Sequence, residues 1–159
     1  MIKIRPAHPE DAGLVHGFIL ELAAYEKLAH EARATLTDVE RALFGAAPRV
    51  FCDIAWEAGA SVGFALWFYN FSTFVGRAGI WLEDLYVRPE ARGRGAGRAL
   101  LANLARRCAV EDLGRLEWAV LDWNAPSIAF YDSLGASALT DWTTRRLTGE
   151  AINQLAASQ

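Results

Sequence analysis

The sequence is short of what several classes of protein require. Its 159 residues include two cysteines, Cys52 and Cys108, too far apart for a C-x-x-C pair. Neither a disulfide framework nor a thiolate metal site is indicated, and a reducing compartment is expected. His8, His16 and His30 show no ligand spacing, so no metal is expected. No apolar run reaches the length of a membrane span, and Met1-Ile2-Lys3-Ile4-Arg5 carries no long apolar stretch of an export signal. A cytoplasmic protein that does not engage a membrane is the expectation. Sixteen Lys and Arg against 19 Asp and Glu give a net charge of −3. The basic excess of a nucleic-acid binder is missing, and so are charged tails, linkers, low-complexity tracts and fixed-period repeats.

What is present is core material. Apolar residues make up 53% of the chain, with six Trp and eight Phe, which argues for one well-packed domain over residues 1–159. Ile2 to Arg5 alternates like a strand, and His8-Pro9-Glu10-Asp11 opens a helix whose buried stripe is Leu14, Phe18, Leu22 and Tyr25. Thr37-x-x-Glu40 reads as a capping box for a short helix ending at Gly45. Strands are expected over Val50 to Glu57, Ser61 to Phe71 and Ala78 to Val87, the first two joined by a turn at Ala58-Gly59-Ala60. Helical spacing returns from Arg98 to Val110, followed by a strand over Leu116 to Leu121 and a short helix over Pro126 to Leu134. A last strand over Thr143 to Leu147 and a helical stretch through Ala157 complete an α/β order around a mixed sheet.

Between the carboxylate-bearing strand and the long helix lies Arg92-Gly93-Arg94-Gly95-Ala96-Gly97. Three glycines at alternate positions let several backbone N–H groups converge at the positive end of a helix, which suits a phosphate group. A sharp turn into a helix is the plain alternative. The Walker loop is excluded because no Gly-Lys-Ser/Thr ends the stretch, and a GxGxxG fingerprint from Gly93 would need glycine at Arg98.

Two further features point to proton transfer. Glu83 and Asp84 are neighbours in an otherwise apolar strand, so pleating sends one to each face unless a bulge redirects them. Only one is expected to face a reaction, and Glu83, with its pKa raised by partial burial, is the candidate base. Pairing with Arg77 or Arg88 is the structural alternative. Tyr131 sits four residues after Ser127 on a helix, where a phenol can donate a proton or simply pack. The aromatic run Trp67, Phe68, Tyr69, Phe71 and Phe74 fits either an acceptor wall or strand packing.

The pattern Arg92-x-x-Gly95-x-Gly97 resembles the diphosphate-binding motif of the GNAT acetyltransferase superfamily. The order of elements is similar to that fold, a mixed, mostly antiparallel sheet flanked by helices. Ile4-Arg5-Pro6-Ala7, Glu21 to Glu26, Leu82-Glu83-Asp84 and Trp123 to Tyr131 resemble the branch that acetylates spermidine, spermine and thialysine. The resemblance implies acetyl-CoA as donor and a small-molecule amine as acceptor, with Glu83 as base and Tyr131 as thiol proton donor. It implies main-chain contacts to the acyl donor from Leu85, Tyr86 and Val87, and diphosphate contacts from Arg92, Gly93, Arg94, Gly95, Ala96, Gly97 and Arg98. Asn124 and Tyr131 would touch the cofactor arm, and Tyr25, Glu26, Glu83 and Asp84 the acceptor. A homodimer is implied as well. Ala24 replaces a lysine of the polyamine enzyme, so amine acetylation is the firmer expectation and polyamine specificity the weaker. An amino acid, a peptide or an antibiotic amine remains an alternative acceptor. A non-catalytic acyl-CoA-binding module is a further alternative, disfavoured by the presence of both Glu83 and Tyr131.

Overall fold

Alternating apolar residues in three consecutive runs build a meander, to which one helix adds a parallel strand. The structure, a computed structural model, describes residues 1–158; the final residue of the domain expected over 1–159 lies outside them. Two compact units are resolved, Met1–Ala119 and the residues from Val120 onward.

The first unit contains strands β1 (Ile2–Pro6), β2 (Phe51–Glu57), β3 (Ala60–Ser72), β4 (Arg77–Val87) and β5 (Leu116–Trp118), with helices α1 (Ala12–Tyr25), α2 (Leu36–Phe44) and α3 (Ala96–Val110). Sheet order follows chain order. The first three pairings are antiparallel, and β5 joins β4 in parallel after the α3 crossover. Ala58 and Gly59 connect β2 to β3 with φ of 50° and 83°. Two positive φ values are what a two-residue hairpin turn matching strand twist demands.

Register assigns the two faces of the sheet. Cys52, Ile54, Phe64, Leu66 and Tyr86 point to one side and form a buried cluster with Val15, Phe18 and Leu22 of α1 and with Val39 and Leu43 of α2. Phe18 and Phe64 stack with ring centroids 5.4 Å apart, and removing the Phe18 ring would cost about 3–5 kcal/mol. On the other side, Leu100 and Leu104 of α3 are fully buried, as is Ile80 of β4.

Three sequence expectations need correction. The capping box of α2 is formed by Thr35 and Asp38, not by Thr37 and Glu40: the Asp38 amide donates to Thr35 Oγ1 and the Thr35 amide to Asp38 Oδ2. Starting there puts Val39 and Leu43 on the buried face. Strand β5 stops at Trp118 rather than Leu121, because its partner β4 bulges just past Leu82. Residues 143–147 form no strand. Thr143-Thr144-Arg145-Arg146-Leu147 has one large apolar side chain in five and so no face to bury.

The second unit contains α4 (Ala125–Asp132) and α5 (Glu150–Ala157). Asn124 caps α4, its Oδ1 accepting the Ser127 amide at 3.4 Å. Pro126 occupies the first turn, where its missing N–H is harmless. Gly135, with φ of 82°, follows the helix end. No described helix is long and apolar enough to cross a membrane.

Candidate active site

The site begins with a defect in strand pairing. Leu66 of β3 opposes Asp84 and Trp67 opposes Leu82, which leaves Glu83 as the extra residue of a β-bulge. Leu82 and Asp84 therefore lie on opposite faces although they are two residues apart. Leu82 goes to the α3 side with Trp67. Asp84 goes to the α1 side with Leu66. Glu83 accepts a hydrogen bond at 2.9 Å from the Trp81 indole, and Trp81 opposes Phe68 on that same α1 side. Both acids thus address one face, which corrects the expectation that only one would do so. The arginines that might have neutralised them are held elsewhere, Arg88 by Glu21 and Arg77 by Asp112, each at 2.9 Å.

Burial separates the two acids. Glu83 is exposed and Asp84 half-buried. Loss of water, followed by the negative charges of Glu83 and Glu26, pushes the Asp84 carboxyl up from 3.8 to about 7. Glu26 is the C-cap of α1, and burial raises its pKa too. The negative end of the α1 dipole acts in the same direction. Glu26, Glu83 and Asp84 therefore gather into one acidic site able to hold an ammonium and accept its proton. Tyr25, the last residue of α1, packs against the adjoining core.

Beyond the bulge, β4 runs on without β5, whose described ladder ends at Leu82 and Trp118. The Arg88 amide donates to Val62 on β3. By strand alternation, the main-chain groups of Leu85 and Val87 turn toward the opposite, opened edge. The Val87 carbonyl on that edge accepts from Arg92 Nε at 2.9 Å. The Leu85 and Val87 side chains take the α3 side, and Tyr86 is buried on the α1 side.

The glycine turn follows a single helical turn, Pro89–Ala91. Gly93 and Gly95 have φ of 72° and 93°. A Cβ at either would meet no atom within 4 Å, so conformation, not space, requires glycine there. Gly95 caps α3, which starts at Ala96, two residues before the expected Arg98. The first α3 bond at its cap runs from the Ala99 amide to the Gly95 carbonyl, so the amides of the preceding residues are those a helix start leaves for an anion. A diphosphate fits this donor set. Ala96 is buried, Gly97 half-buried and Arg98 exposed. Arg94 braces the turn through Glu57 at 3.0 Å and the Glu90 carbonyl at 2.8 Å. Arg92, expected at the diphosphate, lays its guanidinium over the rings of Tyr25 and Tyr86.

In the second unit, Asn124 is buried at the cap of α4. Tyr131 is half-buried one turn after Ser127, its ring centroid 5.4 Å from that of Phe130.

Trp81 was missed from the sequence, although an indole two residues before a strand carboxylate is a readable signal. Among the described residues no cluster of His, Cys, Asp and Glu is arranged to hold a metal ion. A cavity of about 140 Å³ lined by Phe44, Phe51, Asp53, Trp67, Tyr69 and Arg107 lies by β2; it takes in Trp67 and Tyr69 of the aromatic run but none of the expected catalytic, cofactor-binding or acceptor-binding residues. Within it, buried Asp53 accepts from the Trp67 indole at 2.9 Å.

Comparison with known proteins identifies the family. Residues 18–136 match the acetyltransferase (GNAT) family. The chain is 36% identical to the thialysine N-epsilon-acetyltransferase of Bos taurus, with 98% of this chain and 97% of that protein aligned. It is 27% identical to an L-ornithine N5-acetyltransferase of Arabidopsis thaliana, over 96% of this chain and 87% of that one. An integron cassette protein from the mobile metagenome of V. cholerae superposes with a TM-score of 0.82 at 27% identity, covering 99% of this chain and 98% of its own. The match spans most of α1, the bulged strand, the glycine turn and α4 alike, and the chain belongs to the acetyltransferase (GNAT) family.

Proposed function

We propose that the protein transfers acetyl from acetyl-CoA to the primary amine of a diamine, polyamine or lysine-like small molecule. The observation that carries this reading is the bulge, which sets Glu83 and Asp84 on one face with Asp84 titrating near neutrality. The named acceptors of the similar enzymes, thialysine and ornithine, support it.

An alkyl ammonium has a pKa near 10.4, so freeing its lone pair at neutral pH costs about 4–5 kcal/mol. The acidic site attracts the ammonium, and a carboxylate then takes the proton. Partial burial is what suits a carboxylate to that role, and it is greater at Asp84 than at Glu83, so the two acids divide the work. Exposed Glu83 guides and holds the amine, and Asp84, whose pKa of about 7 suits a base at physiological pH, accepts the proton. When bound, acetyl-CoA supplies the activated carbonyl. The glycine turn and the α3 N-terminus, residues 93–98, hold its diphosphate, braced by Arg92 and Arg94. Main-chain groups of Leu85, Tyr86 and Val87 align the acyl end, with Leu85 and Val87 N–H groups available to a developing oxyanion. Asn124 contacts the cofactor arm. Tyr131 donates the proton that the leaving thiolate needs.

A homodimer is part of the proposal. Phe71, Phe74 and Val75 near the β3–β4 connection are 61%, 96% and 52% exposed, an apolar surface suited to self-association.

Free thiol released from acetyl-CoA, measured over a panel of diamines, polyamines and diamino acids, tests the proposal. Amine-dependent release reduced about a hundredfold or more in Tyr131→Phe is expected. Tight cofactor binding without release on any amine would contradict it.

A further inference from the structure

We propose that Trp81 is a positioning residue of the acceptor site: its indole N–H pins one oxygen of Glu83, so that the other is presented to the incoming ammonium. The inference rests on the amine-acetylation reading above and extends the acceptor site by one residue.

Glu83 stands where the strand gives it least support. As the extra residue of the bulge it has no partner in the β3 ladder, and the described β5 ladder has already ended beside Leu82. Its side chain is exposed. A glutamate left to itself there samples many rotamers, and an acceptor would have to order it on binding. Trp81 is in the opposite situation. It lies in the stretch of β4 that is paired on both edges, opposite Phe68 on β3 and Glu117 on β5, and it is half-buried. Strand alternation keeps Trp81 and Glu83 on one face across Leu82, and the indole Nε1 donates to Glu83 Oε2 at 2.9 Å. The anchored part of the strand thereby holds the unanchored part through one bond.

The chemistry of the donor suits this task. An indole N–H donates and has no lone pair to offer, so it can neither bind the ammonium nor take its proton. It orients the carboxylate without competing for the substrate. The bond engages Oε2 and leaves Oε1 to an ammonium, on the same face as Asp84. Such preorganisation favours amine capture more than the transfer step, so its loss falls on KM.

The test is a double-mutant cycle on Trp81→Phe, which keeps a ring but not the N–H, and Glu83→Ala, with putrescine and lysine as acceptors at saturating acetyl-CoA. Trp81→Phe is expected to raise KM for the amine roughly five- to tenfold with little change in kcat. That is the low end for a hydrogen bond to a charged group, because this one is exposed. In the Glu83→Ala background the same substitution is expected to change KM by less than about twofold, since the group it positions is gone. A purely structural Trp81 gives the same factor in both backgrounds. That result, or an unchanged KM in Trp81→Phe, overturns the role of Trp81 and leaves amine acetylation standing. A wild-type protein that acetylates no amine overturns the broader reading, and this inference with it. Should Trp81→Phe not fold, Trp81→Leu, which also lacks the N–H, enters the same cycle with the same outcomes.

Discussion

Asp84 opposes Leu66 across the sheet while Trp67, the next residue on β3, opposes Leu82. This one-residue slip turns a carboxylate into the face that α1 covers. Apolar packing around it removes water, Glu83 and Glu26 add like charge, and the pKa climbs to about 7. The same environment that suits Asp84 to the proposed base role makes it a liability for folding.

Substitution of Asp84 should therefore trade activity for stability. The folded protein holds the Asp84 proton to about pH 7, whereas at its ordinary value of 3.8 the proton is lost much earlier. Between these values the folded state binds the extra proton, so the stability associated with this group falls as pH rises through the window and stays low above it. Asp84→Asn removes the penalty. Thermal unfolding at mildly alkaline pH should show the variant more stable by on the order of 2 kcal/mol, with the difference vanishing in acid. A difference independent of pH would speak against a buried, titrating Asp84.

Glu83 should behave differently. It is exposed and held by the Trp81 indole, so Glu83→Gln should mainly raise KM for the amine, by about tenfold, with a smaller fall in kcat. Steady-state kinetics at saturating acetyl-CoA separate the two. A collapse of kcat at unchanged KM would return the base role to Glu83.

The glycine turn makes a conformational prediction. Gly95 has φ of 93° and open space where a Cβ would go, so Gly95→Ala strains the backbone without a clash. A left-handed L-residue costs about 1–2 kcal/mol. Coenzyme A affinity measured by calorimetry should weaken about tenfold.

Ala58 offers the opposite case. Its φ of 50° in the β2–β3 turn suits Asn before glycine better than Ala. Ala58→Asn should stabilise the protein by roughly 0.5–1 kcal/mol, read as a rise in Tm of about 2–4 °C. KM for the amine should not change, since the turn lies at the end of β3 away from Leu66, the partner of Asp84.

Much of this was legible in the sequence for physical reasons. The stripe of Leu14, Phe18, Leu22 and Tyr25 and the apolar runs from Val50 to Glu57 and Ser61 to Phe71 announce α1 and the central strands, because burial enforces their periods. Gly93 and Gly95 announce the turn, because few other residues adopt positive φ. The bulge at Glu83 leaves no such mark: it depends on how β3 and β4 register, a non-local matter, so the sequence could not show that Glu83 and Asp84 share one face. The strand expected over residues 143–147 failed for a related reason, since its Thr and Arg residues satisfy β-propensity without supplying a face to bury. Arg92 lies in a motif read as phosphate-binding, yet its side chain follows the aromatic rings of Tyr25 and Tyr86, whose proximity only the fold creates.

The pH dependence of kcat/KM for amine acetylation, measured by thiol release on wild-type protein and Asp84→Asn, tests the central claim most directly. The predicted wild-type profile falls on the acid side with an inflection near pH 7, and the variant retains only slow transfer without that inflection. An Asp84→Asn enzyme with the wild-type profile and rate would contradict it.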